Sequence, residues 1–415
     1  MRVIADLQIH SKYSRACSQD LNPKNIGLWA DKKGIAVIGT GDFTHPKWLF
    51  ELKESLVEVC PGLYQLRDKS AKAYFMLTCE VSSIYKQGDK VRRVHNMIFA
   101  PNFAAADKII QGLEKRGANL KSDGRPIMGV HCDDLVKIVK EASSEAEVIP
   151  AHVWTPHFGV LGSLSGFDSI SEAFGDQAKY IRAVETGLSS DPKMNWQISS
   201  LDKYSLTSNS DAHSLRKLGR EANVFEIPEK KLSYDEIIEA LYSKDPKRFL
   251  YTIEFFPEEG KYHLDGHRDC KFSCVPSKTK KLKGLCPVCG KKLLVGVLNR
   301  TEALADRDSG FVPNRAVPYK SVIPLEEIIA ESVGVGVQSK KVISIYNQML
   351  STRVSEFEIL LDLSEEQITE ISNPEIAKAV VNVREGNVRI EPGYDGVFGR
   401  IHILSNKNDK QSSLF

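Results

Sequence analysis

Short apolar runs alternate with amphipathic stretches along the first 255 residues of the chain. The runs are short enough for buried strands, and the stretches between them carry apolar residues at helical spacing. The predicted strands span 3–5, 37–39, 74–78, 95–100, 127–130, 148–150, 183–185 and 206–209. The predicted helices span 22–33, 49–59, 103–115, 135–145, 170–174 and 234–242. Repeated βα units predict an α/β domain over 1–255, favouring a barrel of TIM type over a doubly wound open sheet.

The alternation stops near residue 256, which predicts further units after the first domain. Residues 256–300 contain clustered cysteines, 301–405 show mainly helical patterns, and 406–415 form a polar tail. Ser339 is a candidate N-cap, and Ser364 and Gln367 have the spacing of a capping box. The predicted helices span 301–306, 324–332, 339–350, 356–361, 364–371 and 373–384, and a hairpin is predicted over 388–403.

Composition places few limits on function. The chain has 415 residues, 42% hydrophobic and 27% charged, which is an ordinary globular composition. We find no apolar run of the roughly 18 residues that a membrane span needs and no signal-peptide pattern, so we expect a cytoplasmic protein, nucleoid-associated if it binds DNA. A net charge of +2 means that DNA binding would require basic residues to be clustered.

Polar residues able to bind metals follow most of the predicted strands. Seven of the ten histidines precede residue 214, and most stand near carboxylates. In an α/β barrel the carboxyl ends of the strands carry the active site, so these side chains are predicted to meet there. A mixture of imidazole and carboxylate ligands suits Zn²⁺, Mn²⁺ or Fe. The candidates are His10, Asp42, His45, Glu80, His95, His152, Asp211 and His213.

Four of the eight cysteines are clustered in two pairs, Cys270 with Cys274 and Cys286 with Cys289. Their spacing predicts one structural Zn²⁺ site, because two closely spaced pairs supply four tetrahedral thiolate ligands. Such a closed site holds shape and performs no chemistry. His267 is then either a substitute ligand or, together with Arg268, a contact to phosphate or base.

Several motifs together resemble those of the PHP (polymerase and histidinol phosphatase) superfamily, and within it those of the endonuclease Q family. They are Gly-Thr-Gly-Asp-Phe-Thr-His-Pro at 39–46, Pro-Ala-His-Val-Trp-Thr-Pro at 150–156, Ser-Asn-Ser-Asp-Ala-His at 208–213 and Asp-Gly-His-Arg-Asp-Cys at 265–270. The resemblance covers nearly the whole chain and implies a distorted (β/α)7 PHP barrel. It also implies two or three divalent ions (Zn²⁺, Mn²⁺ or Mg²⁺) held by the candidates above, with Glu80, Asp211 and His213 catalytic and Asp6 and Glu185 supporting.

The activity implied by the resemblance is incision of DNA 5′ to a deaminated base such as uracil, hypoxanthine or xanthine, or to an abasic site. Ions at the site would produce a hydroxide near neutral pH, so no Ser or Cys nucleophile is needed. The damaged nucleotide would be flipped into a pocket.

Two positions depart from the superfamily pattern. Gln8 stands where the opening motif usually has a histidine, and an amide oxygen is a poorer Zn²⁺ ligand than imidazole. Arg15 stands in a region that often carries an acid, which argues against a third ion and allows a phosphate contact. Two alternatives therefore stay open: a PHP phosphatase for small molecules, and a degenerate barrel that only binds DNA.

Basic side chains near the predicted site are candidate DNA contacts, although solvated surface charge is an equally simple interpretation. These candidates are Arg15, Arg92, Arg93, Lys193, Arg216, His267 and Arg268.

The last five residues, Gln-Ser-Ser-Leu-Phe, resemble peptides that bind sliding clamps. In that interpretation Gln411 would occupy a polar notch, while Leu414 and Phe415 would enter an apolar pocket. The alternative is a solvated tail.

Overall fold

The computed structural model describes residues 1–403. Its strands are β1 Arg2–Asp6, β2 Val37–Gly39, β3 Leu56–Cys60, β4 Leu63–Leu66, β5 Tyr74–Gln87, β6 Lys90–Ala100, β7 Ile127–Met128, β8 Glu147–Pro150, β9 Ala183–Glu185, β10 Ser205–Thr207, β11 Ala222–Glu226, β12 Phe249–Glu254, β13 Asp265–His267, β14 Phe272–Cys274, β15 Tyr319–Ser321, β16 Val388–Glu391 and β17 Arg400–Ile403. Its helices are α1 Pro23–Lys33, α2 Pro46–Ser55, α3 Phe103–Lys115, α4 Cys132–Ala142, α5 Ile170–Phe174, α6 Pro192–Asn195, α7 Tyr234–Ser243, α8 Pro276–Lys281, α9 Val297–Leu304, α10 Leu325–Val333, α11 Lys340–Leu350, α12 Glu356–Leu361, α13 Glu365–Ile371 and α14 Pro374–Arg384.

The large sheet is mixed, not all-parallel. Its eight-strand path runs β15-β12-β11-β1-β2-β5-β4-β3, with β6 and β7 also paired to β5 and β8 paired to β6. Strands β1, β2 and β5 are parallel neighbours, whereas β5 and β6 form a long antiparallel hairpin. Only Gly88 and Asp89 separate β5 from β6, and so short a connection forces antiparallel pairing. The α/β class is confirmed, but regular βα units were wrong for β5 and β6.

The strands surround one core even though their ladders do not form a closed ring among residues 1–403. Strands β9 and β10 pair with each other as a separate two-stranded sheet. They are tied to their neighbours by a 3.0 Å backbone bond from Val153 N–H to the Glu185 carbonyl and by a bridge between Ile9 and Ala212. Nine strands and helix α7 place buried side chains in one cluster; the strand residues include Val3, Val37, Leu63, Met76, Met97, Ile149, Ala183, Phe225 and Phe249.

A small module and a helical unit follow the first domain. The hairpin β13–β14 and helix α8 surround the buried carboxylate of Asp265, which accepts hydrogen bonds from Thr279, Asn299 and the backbone of Gly296. Helices α10 to α14 pack together after it, and the capping box of Ser364 with Gln367 is confirmed. The boundaries at 255, 300 and 405 remain predictions.

The helical unit is fastened to the first domain by buried charge. Lys33 Nζ at the end of α1 lies 2.7 Å from Glu356 Oε2 in α12, and both side chains are almost fully buried. Arg216 pairs with Glu326 at the start of α10. Within residues 1–403, no helix is both long and apolar enough to cross a membrane.

Candidate metal centre

The carboxyl ends of the strands deliver polar side chains to one place. His10 follows β1, Asp42 follows β2, His152 follows β8 and Asp211 follows β10, while Glu80 lies within the long strand β5. Because parallel strands end at the same edge of a sheet, side chains far apart in sequence meet there. The structure arranges six of them in two groups of three possible ligands each.

The first group consists of His10, Asp211 and His213. His10 Nε2 lies 3.0 Å from Asp211 Oδ1, and the rings of His10 and His213 are 4.6 Å apart between centroids. The three ligand atoms lie within 4.8 Å of one another. This spacing matches nitrogen and oxygen donors arranged around a single cation.

The second group consists of Glu80, His95 and His152. Glu80 Oε1 lies 2.5 Å from His95 Nδ1 and 3.4 Å from His152 Nε2. The two imidazole nitrogens face each other at 3.2 Å. Two neutral imidazole lone pairs pointing at one place repel each other unless a proton or a metal ion lies between them, so this donor set fits a cation.

Glu80 connects the two groups. Its Oε1 belongs to the second group, and its Oε2 lies 3.1 Å from His10 Nε2 in the first. Gln8 donates from Nε2 to the same Oε2 at 2.9 Å, while its own Oε1 is buried without a hydrogen-bond partner among residues 1–403. A buried, unsatisfied oxygen is costly, so Gln8 Oε1 fits the role of an additional ligand oxygen.

Asp42 and His45 lie outside both groups, so their predicted roles as ligands stay predictions. Asp42 Oδ1 faces His10 Nδ1 at 3.1 Å, and Oδ2 accepts hydrogen bonds from the backbone and hydroxyl of Ser11 and from the Ser14 hydroxyl. Its oxygens are therefore occupied by the chain itself. The His45 ring stacks on Tyr13 at 4.5 Å between centroids and precedes helix α2.

Burial and neighbouring charges shift the pKa values of the candidate ligands. Burial opposes protonation of His10, but the carboxylates of Asp42, Asp211 and Glu80 outweigh it and raise the pKa of His10 well above its usual range. Burial also opposes ionisation of Glu80, yet His95, Arg125 and the hydrogen bonds from histidines hold its pKa well below the usual range. Burial lowers the pKa of His95 to about 4, against the pull of Glu80. At neutral pH Glu80 is thus ionised and His95 unprotonated, the states that metal ligands need, whereas His10 would have to release a proton to bind a cation.

Asp6 and Glu185 accept hydrogen bonds from the loops that carry the candidate ligands, the supporting role that the resemblance implies. Asp6 accepts backbone hydrogen bonds from Ser210 at 3.0 Å and Gly219 at 2.9 Å. Glu185 accepts from the backbone of His152 at 2.6 Å and from the Asn209 amide at 2.9 Å. These bonds fix loops whose ligand residues are strained, since His152 has φ 28° and Asp211 has φ 47°.

Arg125 is a site residue that sequence reasoning missed. Its guanidinium lies 3.6 Å from Glu80 Oε1 and lines the same cleft as His95, His152 and Asp211. The cleft has a volume of about 690 Å³. Gly124, just before it, packs so closely on Asp42 that a Cβ there would lie 2.3 Å from a carboxylate oxygen. A glycine beside an arginine is too common in sequences to have signalled this.

The candidate DNA contacts fall into different environments. Arg15 is exposed and lines the cleft. Arg92 is buried, with its guanidinium 3.9 Å from the Phe167 ring centroid and bonded to Gly166 and Glu172. Arg216 is occupied by Glu326. Arg93, Lys193 and Arg268 are exposed and lie outside the lining of the cleft.

The cysteine site differs from the predicted four cysteines in one member. The clustered group is His267, Cys270, Cys286 and Cys289, with His267 Nδ1 3.6 Å from Cys289 Sγ. Cys274 lies instead at the far end of the β13–β14 hairpin, opposite Asp265, where its Sγ is 3.2 Å from the Thr279 hydroxyl. His267, at the turn end of that hairpin, takes its place. The corrected group has the three-cysteine, one-histidine composition of many structural zinc sites.

A mixed α/β fold with two His and carboxylate groups, each at least partly buried beside an open cleft, defines a metal-dependent hydrolase. Comparison with known proteins makes the assignment more specific. The crystal structure of the novel lesion-specific endonuclease PfuEndoQ from Pyrococcus furiosus superimposes with a TM-score of 0.86 at 31% identity, covering 99% of this chain and 98% of that one. Endonuclease Q in complex with a 27-mer duplex substrate with an abasic lesion at the active site gives a TM-score of 0.86 at 31% identity, covering 98% and 97%.

Two further comparisons cover nearly the whole chain and its C-terminal helices, respectively. The uncharacterised protein YqxK of Bacillus subtilis (strain 168) is 28% identical over 411 residues, covering 96% of this chain and 99% of the relative. The family model of the MJ0043 C-terminal domain matches residues 324–387, which hold helices α10 to α14. The chain belongs to the endonuclease Q family and is a nuclease.

Proposed function

We propose that this protein cuts a DNA strand 5′ to a damaged nucleotide, namely an abasic site or a deaminated base such as uracil, hypoxanthine or xanthine. The observation that carries the proposal is the full-length likeness to an endonuclease Q bound to duplex DNA with an abasic lesion at its active site. The cleft beside the two ligand groups supplies the space for the damaged nucleotide.

Each side chain of the site has a role in this reaction. The two groups would hold divalent ions, which when bound would supply a nucleophile from water and offset the charge that builds on the phosphate. Glu80, which contacts both groups, holds them at a fixed separation, and Asp42 orients His10. Arg125 is a fixed cation within reach of a phosphate oxygen in the cleft.

Incubation with lesion-containing DNA tests the proposal. End-labelled duplexes with one deoxyuridine, deoxyinosine or abasic analogue, and an undamaged duplex, are incubated with Mn²⁺ or Mg²⁺, and the cut is mapped to the nucleotide. We expect a cut on the 5′ side of the lesion that EDTA abolishes. Asp211→Asn should abolish it, whereas His402→Ala, a histidine on β17, should retain it. No cut with any ion would contradict the proposal and favour a degenerate barrel that only binds DNA.

Two further parts of the proposal concern binding. A structural Zn²⁺ would stiffen the small module beside the DNA, held by His267, Cys270, Cys286 and Cys289.

The tail peptide with Gln411, Leu414 and Phe415 would bind a sliding clamp; it lies outside the described residues 1–403. Deleting the last five residues should remove clamp binding in a pull-down and leave cleavage of short duplexes unchanged.

A further inference from the structure

A turn from the C-terminal hairpin reaches the cleft beside the candidate metal centre of the first domain. The segment 393–399 connects β16 to β17 and hydrogen-bonds along the segment 258–264. Gly393 donates to the Glu258 carbonyl at 2.7 Å, Gly396 to Lys261 at 2.8 Å and Gly399 to Glu259 at 2.9 Å. This backbone ladder fixes the turn at one edge of the cleft.

The turn itself is tightly constrained. Tyr394 and Val397 exchange backbone hydrogen bonds of 3.0 and 2.7 Å, and the two residues between them, Asp395 and Gly396, both have positive φ, 42° and 84°. Two positive φ angles at the centre are the pattern of a type I′ turn. The Asp395 carboxylate also accepts a 2.6 Å hydrogen bond from the backbone of Arg268 in the small module. The residue that follows the turn is therefore presented in a defined position.

That residue is Phe398, and its side chain is 53% exposed at the cleft. It lines the same cleft as His95, His152 and Asp211, and Lys261 Nζ lies 5.8 Å from its ring centroid. A second aromatic ring, Phe158, is already packed against His95 at 4.4 Å between centroids. Phe158 thus supports a ligand inside the cleft, whereas Phe398 leaves a large aromatic face open to solvent at its edge.

We propose that Phe398 stacks on the base next to the damaged nucleotide and fills the gap that this nucleotide leaves in the duplex when it enters the cleft. This inference rests on the proposed function and adds the residue that opens the duplex. Base stacking on an aromatic ring is favourable for every base, because each has a π face. Lys261, whose ammonium group lies beside the ring, would contact the phosphate next to the stacked base.

A comparison of fully paired DNA with DNA already unpaired at the lesion distinguishes a role in opening the duplex from a general loss of activity. The lesion strand is supplied either in a full duplex or in an unpaired bubble, and kcat/KM is measured for the wild type, Phe398→Ala, Phe398→Trp and Phe50→Ala. Phe50 is a matched control, because it is 66% exposed on α2. We expect Phe398→Ala to lose roughly ten- to hundredfold on the duplex, the loss that one stacking contact supplies. On the bubble it should be nearly equal to the wild type, and Phe398→Trp should keep most of the duplex activity.

A fluorescence measurement tests stacking without cleavage. Duplexes with 2-aminopurine beside the lesion are mixed with each variant in EDTA; the wild type and Phe398→Trp should give a changed emission, and Phe398→Ala should not. Equal loss on duplex and bubble, or no loss on either, would overturn the inference. If the wild type cuts none of the lesions, the proposed function fails, while the emission change still decides whether Phe398 stacks. Phe398→Leu replaces Phe398→Ala if the latter does not fold by its thermal midpoint.

Discussion

Asp42 Oδ1 lies 3.1 Å from His10 Nδ1, and this contact leaves the other ring nitrogen of His10 to face the neighbouring carboxylates. With Nδ1 held by Asp42, Nε2 points at Asp211 and Glu80. A carboxylate behind a ligating histidine fixes the ring orientation and raises its basicity. Asp42 acts through His10, and its position after β2, which resembled that of a ligand, serves this orientation.

Replacing Asp42 by Asn should therefore weaken the centre without removing a ligand. We expect kcat or metal affinity to fall by about 10- to 100-fold, the usual effect of losing such a partner. His45→Ala should change activity only a few-fold, because the His45 ring lies outside both ligand groups. Metal titration of the cleavage rate measures both effects. If His45→Ala were as damaging as Asp42→Asn, the assignment of the ligand groups would be wrong.

The corrected cysteine group predicts which thiol is dispensable for zinc. Cys274→Ser should retain one equivalent of Zn²⁺, whereas Cys270→Ser and His267→Ala should lose or weaken it, since four ligands complete a structural site. Zinc content after dialysis, measured by atomic emission, distinguishes these variants. Loss of zinc from Cys274→Ser with retention in His267→Ala would restore the four-cysteine site.

Alanine at Arg92 should lower the stability of the fold, whereas alanine at Arg125 should lower the cleavage rate. Arg92 is buried on Phe167, so Arg92→Ala removes packing and hydrogen bonds and should cost about 1–3 kcal/mol of stability. Arg125 is partly exposed next to Glu80, so Arg125→Ala should reduce cleavage by tenfold or more with little change in thermal midpoint. Unfolding curves and cleavage rates on the same preparations compare them. A cleavage defect of Arg92→Ala at full stability would return Arg92 to the DNA interface.

Glu254 makes the stability of the fold depend on pH. Burial raises its pKa from 4.5 to about 8, and Asp191 adds to the shift. Because the folded state then binds a proton more tightly than the unfolded state, this group stabilises the fold below pH 4.5 and loses that contribution as pH rises towards 8. The slope is at most about 1.4 kcal/mol per pH unit.

Glu254→Gln should remove that loss. We expect the variant to gain stability over the wild type between pH 6 and 8.5 and to match it near pH 4.5, as measured by urea unfolding at each pH. Glu239→Gln, at a carboxylate with a 67% exposed side chain, is the control and should show no such trend. Equal slopes for wild type and Glu254→Gln would mean that Glu254 is ionised in the fold and balanced by a cation.

Much of the local structure was contained in the sequence. Apolar runs marked strands such as β1 and β2, and capping residues such as Ser364 marked helix starts, because both depend on neighbours within a few positions. The His and carboxylate residues after the strands were visible for the same reason. Spacing alone also located the cysteine cluster of the small module.

The tertiary structure decided which of these residues face the same point. Asp42 and Glu80 both follow predicted strands, so the sequence does not distinguish them. In the fold, the Ser11 and Ser14 hydroxyls donate hydrogen bonds to Asp42. Glu80 lies between the two groups of histidines. His267 replaces Cys274 because hairpin register, not spacing, sets which end of β13–β14 a ligand occupies. Phe398 reaches the cleft through backbone bonds to residues more than 130 positions earlier. Such contacts join distant parts of the chain, so only folding determines them.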